Sequence, residues 1–264
     1  AGLKDPSPVV RAQAVGGMDR LPPEARGEVL GPLALDPMAS VRMDVARLLA
    51  PVKAGLPTKP RATVDQLEKD YIALQEAIGD QPESHLNLGL LYVAKGDFAA
   101  AEAAYKMAIA RDPQFIPARV NLANLYNSQG KNSEAEHLLN EALGLAPNEG
   151  ELHYSMGLLL AEVGRLDEAT VYMKRASELL PTRARVFYNY GLLLQHQEQR
   201  PAAEAALKQA HAIDGGDGTI LQALVILFSQ EGRWTEAKPY AEKLLALDPG
   251  NPELQSWVAG ILAR

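Results

Sequence analysis

Two kinds of side chain with hydrogen-bonding chemistry recur in this chain at multiples of one spacing, 34 residues. Asn87, Asn121 and Asn189 share one repeat position, interrupted by Ser155 and Ala223, and Tyr154 and Tyr188 share the position before it. An amide carries both a donor and an acceptor, so a row of asparagines can pair with peptide groups of any sequence. Tyrosine combines contact area with a hydroxyl, which suits it to the same task. This is chemistry for holding a chain, and the templates for breaking bonds fail. His85, His137, His153, His196 and His211 form no H-E-x-x-H, and His85 and His153 occupy one repeat position, as packing residues do. Gly215-Gly216-Asp217-Gly218 lacks the lysine and the preceding strand of a phosphate loop, and no G-x-S-x-G elbow is present. The carboxylates, Glu102, Glu134 and Glu136 among them, lie on helix faces expected to be solvated. The expectation is a protein without catalytic activity and without a cofactor or metal.

Composition narrows the partners. The 264 residues carry a net charge of −7, which argues against nonspecific nucleic-acid binding. The imbalance is local: residues 1–60 hold 8 basic and 6 acidic side chains, the remainder 18 and 27. With no cysteine, disulfides, thiolate metal sites, thiol catalysis and covalent c-type haem attachment within the chain are excluded. No apolar run reaches the roughly 18–20 residues that span a bilayer, so no membrane insertion is expected. The start, Ala1-Gly2-Leu3-Lys4-Asp5-Pro6, is not a signal peptide; it opens directly in repeat-like sequence and reads as a processed or engineered fragment.

The elements that must position the asparagines and tyrosines follow from the period. Five units without insertion or deletion start at Pro82, Ile116, Gly150, Ala184 and Gly218, and they close on Asp112-Pro113, Ala146-Pro147, Leu180-Pro181, Asp214-Gly215 and Asp248-Pro249. In the first, Leu88, Leu91 and Tyr92 mark one helix, Lys95-Gly96-Asp97 a turn, and Ala101, Tyr105, Ala108 and Ile109 the apolar stripe of a second helix. Small residues recur where two helices must cross closely: Gly89, Ala123, Gly157 and Gly191 in first helices, and Ala101, Ala135, Ala169, Ala203 and Ala237 in second helices. The turn glycine returns as Gly130, Gly164 and Gly232, with Glu198 the exception, so unit 184–217 is the least regular and 214–218 the most flexible-looking joint. A strict period of this length predicts an all-α, right-handed superhelical solenoid of helix-turn-helix repeats.

Residues 82–251 resemble the tetratricopeptide repeat (TPR) family in length, turn and small-residue positions. They depart from it in the early aromatic position, which holds His85, Arg119, His153, Phe187 or Leu221. The resemblance implies that first helices line a concave groove. Carried over, the lining is Leu86, Leu90 and Val93; Val120, Asn124 and Asn127; Tyr154, Leu158 and Glu162; Tyr188, Leu192, Gln195 and His196; and Gln222, Ile226 and Ser229. It also implies that Asn87, Asn121 and Asn189 act as a ladder for an extended peptide. The carboxylate clamp of chaperone-binding members is missing, since Arg185 is the one basic residue near the matching places, and no preference for an acidic C-terminal tail is expected. The peptide-binding residues expected are therefore Asn87, Leu90, Asn121, Asn124, Tyr154, Leu158, Arg185, Tyr188, Asn189 and Gln195.

Outside the array, Pro252–Arg264 reads as a capping helix with Leu254, Trp257, Val258 and Ile261 on its apolar side. Asp5-Pro6 followed by Val10-Arg11 recurs 31 residues later as Asp36-Pro37 followed by Val41-Arg42, and residues 1–51 resemble HEAT-like repeats, the first truncated. Residues 52–62 read as a linker. Residues 63–81 read as a half-repeat helix with Leu67, Tyr71, Leu74 and Ile78 on one stripe. The order of HEAT-like segment, linker and array is similar to the C-terminal half of bacterial proteins with upstream multihaem c-type cytochrome motifs, which implies a periplasmic address; otherwise a cytoplasmic one fits. The function expected is a protein-interaction scaffold holding a peptide or partner helix. The alternative is a docking or self-association module of a larger protein.

Overall fold

The computed structural model of the protein describes residues 2–56 and 58–264, with backbone alone for residues 19, 23, 24, 54 and 58–60; Ala1 and Pro57 lie outside the described residues. Among the described residues every element is helical. The chain divides into two compact units, Ala1–Gln129 and Gly130–Arg264.

The first unit opens with α1 (Pro8–Gly16), α2 (Pro23–Leu30) and α3 (Ala39–Leu49), joined by short 3-10 turns. The 31-residue repeat is reproduced atom for atom. Arg11 donates from Nη1 to the carbonyls of Asp5 (2.7 Å) and Pro6 (3.0 Å), and Arg42 does the same to Asp36 (2.7 Å) and Pro37 (3.0 Å). Asp5 and Asp36 each accept from the amide two residues on, at 2.8 Å. The two copies are tied by a bidentate pair between Arg11 and Asp36, 2.7 and 3.0 Å, over a core of Val15, Leu30, Val41, Val45 and Leu49.

The stretch read as a linker is largely helical: a 3-10 turn spans Ala50–Gly55, and α4 runs Thr58–Ala77. Proline in a first helical turn has no intrahelical N–H bond to lose, so Pro60 fits there. The expected stripe holds at Leu67 and Tyr71 on α4, both buried, and fails at Leu74 and at Ile78, just past the helix end, which are exposed. Polar residues are buried instead. Glu68, 3% exposed, accepts from Lys53 (2.9 Å) and meets Lys95 (3.1 Å); Gln75 accepts from Asn87 at 3.3 Å. Then α5 (Pro82–Lys95) packs on α6 (Phe98–Arg111), and α7 (Ile116–Ser128) follows.

The second unit comprises α8 (Asn132–Leu145), α9 (Gly150–Glu162), α10 (Leu166–Leu179), α11 (Ala184–His196), α12 (Arg200–Ile213), α13 (Gly218–Gln230), α14 (Trp234–Leu247) and α15 (Pro252–Leu262). Helices pair as α9–α10, α11–α12 and α13–α14, with α15 on α14. The small residues stand where the helices cross: a Cβ on Gly191 would come within 2.8 Å of Leu207 Cγ, and one on Gly157 within 2.9 Å of Met173 Cγ. Every described hairpin turn has a left-handed residue: Gly96 (φ +76°), Gly130 (+73°), Gly164 (+80°), Gly232 (+70°), and Glu198 at +59°. The amide after Glu198 closes on the Leu194 carbonyl at 2.8 Å, as that after Gly164 closes on Leu160. The missing glycine therefore leaves the turn's form unchanged, and residues 214–217 likewise form the same two-residue turn as the other closures. On α15, Val258 and Ile261 are buried, while Trp257 is 36% exposed.

Candidate interaction face on the first helices

First helices begin at Pro82, Ile116, Gly150, Ala184 and Gly218, and α15 begins another 34 residues on. In the first unit, Leu90 and Asn124 are exposed, and Asn87 and Asn121 are half-buried. In the second, Leu158 (39%) and Leu192 (37%) are exposed, as is Arg185, with Tyr188, Asn189 and Gln195 half-buried. Leu158 and Leu192 share a hollow of about 260 Å³ with Ala161, Leu193 and Met173, and Asn189 and His196 are its polar members. Tyr154, expected as a contact residue, is 8% exposed. Burial raises its hydroxyl's pKa, which the charges of Arg183 and Arg185 and the Asn189 hydrogen bond oppose.

The asparagines of one repeat position do not make one contact. A first-helix side chain meets the residue 35 earlier, on the preceding first helix. Asn189 donates to Tyr154 Oη at 2.8 Å, and Gln195 Nε2 is in turn met from 35 residues on, donating to Gln230 Oε1 at 2.9 Å. For Asn121 the residue 35 earlier is Leu86, which offers no acceptor, and its amide turns back to the Pro117 carbonyl of its own helix at 2.8 Å. Asn87 finds Gln75 on α4. His85 and His153 do repeat: each ring N–H donates to a backbone carbonyl six residues earlier, Gly79 and Pro147, at 2.8 Å. They cap chain turns. Among the described residues no group of three or more His, Asp or Glu could hold a metal ion, and no helix is long and apolar enough to cross a membrane.

Arg183 was missed from sequence because it stands in the turn before α11. Its guanidinium carbon lies 4.8 Å from the Tyr154 ring centre, and it pairs with Glu151. Arg185 lies 5.2 Å from the Tyr188 ring centre. Two basic residues thus face this surface where one was expected. The signal was available: Arg183 and Arg185 flank a helix start where the neighbouring units carry Glu149, Glu151 and Asp217.

Residues 92–159 match the tetratricopeptide repeat family model. No curated protein matches the chain. Among solved structures, the chain is similar to one described as the functional characterization of Pseudomonas aeruginosa PilF, with a TM-score of 0.62, 20% identity, and 83% of this chain and 99% of that one covered. It is also similar to a MamA protein (0.57, 23% identity, 65% and 93% covered). A third, YrrB, is described as a TPR protein with an unusual peptide-binding site (0.56, 18% identity, 70% and 96% covered). At these identities the likeness establishes the fold, an all-α solenoid of helical hairpins.

Proposed function

We propose that the chain is a noncatalytic protein-interaction scaffold whose first helices hold an extended peptide or a partner's helix. The observation that carries this is the apolar hollow between α9 and α11. Leu158 and Leu192 stay exposed there beside the amide of Asn189, although their helix neighbours Leu159, Leu160, Leu193 and Leu194 are buried. Apolar contact area with a nearby amide is what a surface needs to take a side chain and anchor its backbone. The peptide-binding site described for YrrB supports the reading by analogy of fold. The test is a peptide-array screen of the protein against a variant carrying Leu158→Asp and Leu192→Asp. Both positions are exposed, so the variant keeps its helix content by circular dichroism. Sequence-selective binding that the variant loses supports the reading; equal binding, or none by the parent, removes it.

A second reading has its own observation. We read residues 1–51 as HEAT-like, and Val9 (64%), Leu35 (77%) and Met38 (43%) are exposed there. An apolar display of this kind suits docking or self-association. A mass that rises with concentration, and stays at the monomer value in Leu35→Glu, would favour it.

A further inference from the structure

Successive first-helix junctions of the second unit repeat one arrangement of three groups. Between α9 and α11, Arg183 lies over the Tyr154 ring and pairs with Glu151. Between α11 and α13, Arg185 lies over the Tyr188 ring and faces Asp217. Burial would raise that carboxyl's pKa, but hydrogen bonds from Thr219 and Ile220 and the Arg185 charge hold it below the ordinary value. The tyrosines occupy one repeat position. Arg183 and Asp217 occupy another, and Glu151 and Arg185 a third, so cation and anion trade places around a fixed aromatic face.

At the next junction, between α13 and α15, the acids and an aromatic are present and the cation is not. The tyrosine place holds Gln222, and the two charged places hold Thr219 and Asn251. Around them Asp217, Asp248, Glu253 and the part-exposed indole of Trp257 line a hollow of about 570 Å³, together with Leu244 and Leu247. No lysine or arginine lines it. Of the neighbouring cations, Arg185 is engaged on Tyr188, and Arg264 lies 4.7 Å from the ring of Trp234.

We propose that this hollow receives an arginine side chain of the bound partner, which would set a guanidinium beside an aromatic face and carboxylates, the same chemistry that the chain assembles from other positions at the two preceding junctions. The inference rests on the peptide-holding reading above. The methylene stem fits against Leu244 and Leu247 while the charged head stays with the carboxylates. A guanidinium stacks on an aromatic face and pairs with carboxylates through two parallel N–H bonds. Lysine brings the charge without the planar fork and is more strongly hydrated, so it binds less well.

The test uses Trp234→Phe, which leaves Trp257 as the only tryptophan. This protein is titrated with blocked leucine–alanine pentapeptides carrying a central arginine, lysine or citrulline, citrulline being the neutral isostere of arginine. The arginine peptide is expected to shift Trp257 emission and to bind roughly tenfold tighter than the citrulline peptide. The preference shrinks in about 0.5 M salt. It disappears in Asp248→Asn/Glu253→Gln, while citrulline binding holds. Equal binding of arginine and citrulline peptides overturns the inference and leaves the peptide-holding reading standing. A preference that persists in the double variant, or that leaves Trp257 emission unmoved, also overturns it, since the arginine then seats elsewhere. If no peptide binds here or on the array, both fail.

Discussion

Residues 2–129 bury Asp36, Glu68, Gln75, Ser84 and Arg119, whereas no polar or charged side chain described in residues 130–264 is buried to that degree. The second unit keeps its charge at the surface. Arg165 joins Glu136 and Glu168, and Arg233 joins Glu204, Glu231 and Glu236. Ser84 and Arg119 lie within repeating hairpins, but for Asp36, Glu68 and Gln75, which lie outside them, the contrast follows from regularity. Where hairpins repeat with one spacing, the same alanine and glycine contacts fix each pairing, and apolar packing suffices to stack them. Where α4 joins non-repeating elements to the array, pairing must be specified singly, and a buried carboxylate between two lysines does so because any other pairing leaves a charge stranded.

The sharpest way to break this comparison is Glu68→Ala. Removing the carboxylate leaves Lys95 without this partner, while Lys53, part-exposed, keeps Asp65 at 2.8 Å, and we expect a loss of about 2 kcal/mol in denaturant unfolding followed by circular dichroism. A loss below about 1 kcal/mol would mean that the buried charge carries no more than a surface pair does. In the second unit the expected weak point is a small residue. Gly191→Ala puts a methyl against buried Leu207 and within 3.3 Å of the Ala203 carbonyl. The cost is about 2 kcal/mol, overpacking exceeding the gain in helix propensity. Its control is Gly144→Ala, which meets nothing within 4 Å and should stabilise by up to about 1 kcal/mol. The turn at Glu198 gives the next effect: Glu198→Gly relieves a left-handed side chain and should stabilise by about 1 kcal/mol, read as a rise in Tm. A surface effect should show only in acid. The hydrogen bond from Arg233 above all, with Lys208 helping, holds the Glu204 carboxyl down to about 2 against a burial that raises it. A depressed carboxylate stabilises above its unfolded pKa and loses that contribution as pH falls through its folded one. Stability should therefore decline between about pH 4.5 and 2, and Glu204→Gln should flatten that part of the curve.

The array was legible because its signals are local and repeated. A glycine or Glu198 at each turn and a small residue such as Gly191 at each close crossing follow from spacing alone, and first helices start at the residues the period marks. What sequence missed depends on neighbours 12 to 35 positions away. Asn189 and Asn121 look equivalent, yet Tyr154 stands where one reaches and Leu86 where the other does. Leu74 was read as part of the apolar stripe and is exposed, while the burial of Glu68 depends on Lys53 and Lys95, on separate elements, converging on its carboxylate. Tyr154 was read as open although the fold buries it, and Arg183 was not read at all, since a turn residue carries no helical periodicity to betray its direction.

The helix α15 starts 34 residues after α13, in step with every first helix before it, and each hairpin of the array reverses through the same left-handed turn whether glycine or glutamate stands there. Duplicating or deleting one 34-residue stretch would therefore keep every helix and turn in register. A lineage carrying this design can gain or lose hairpins in whole increments, by recombination rather than by accumulated point substitution.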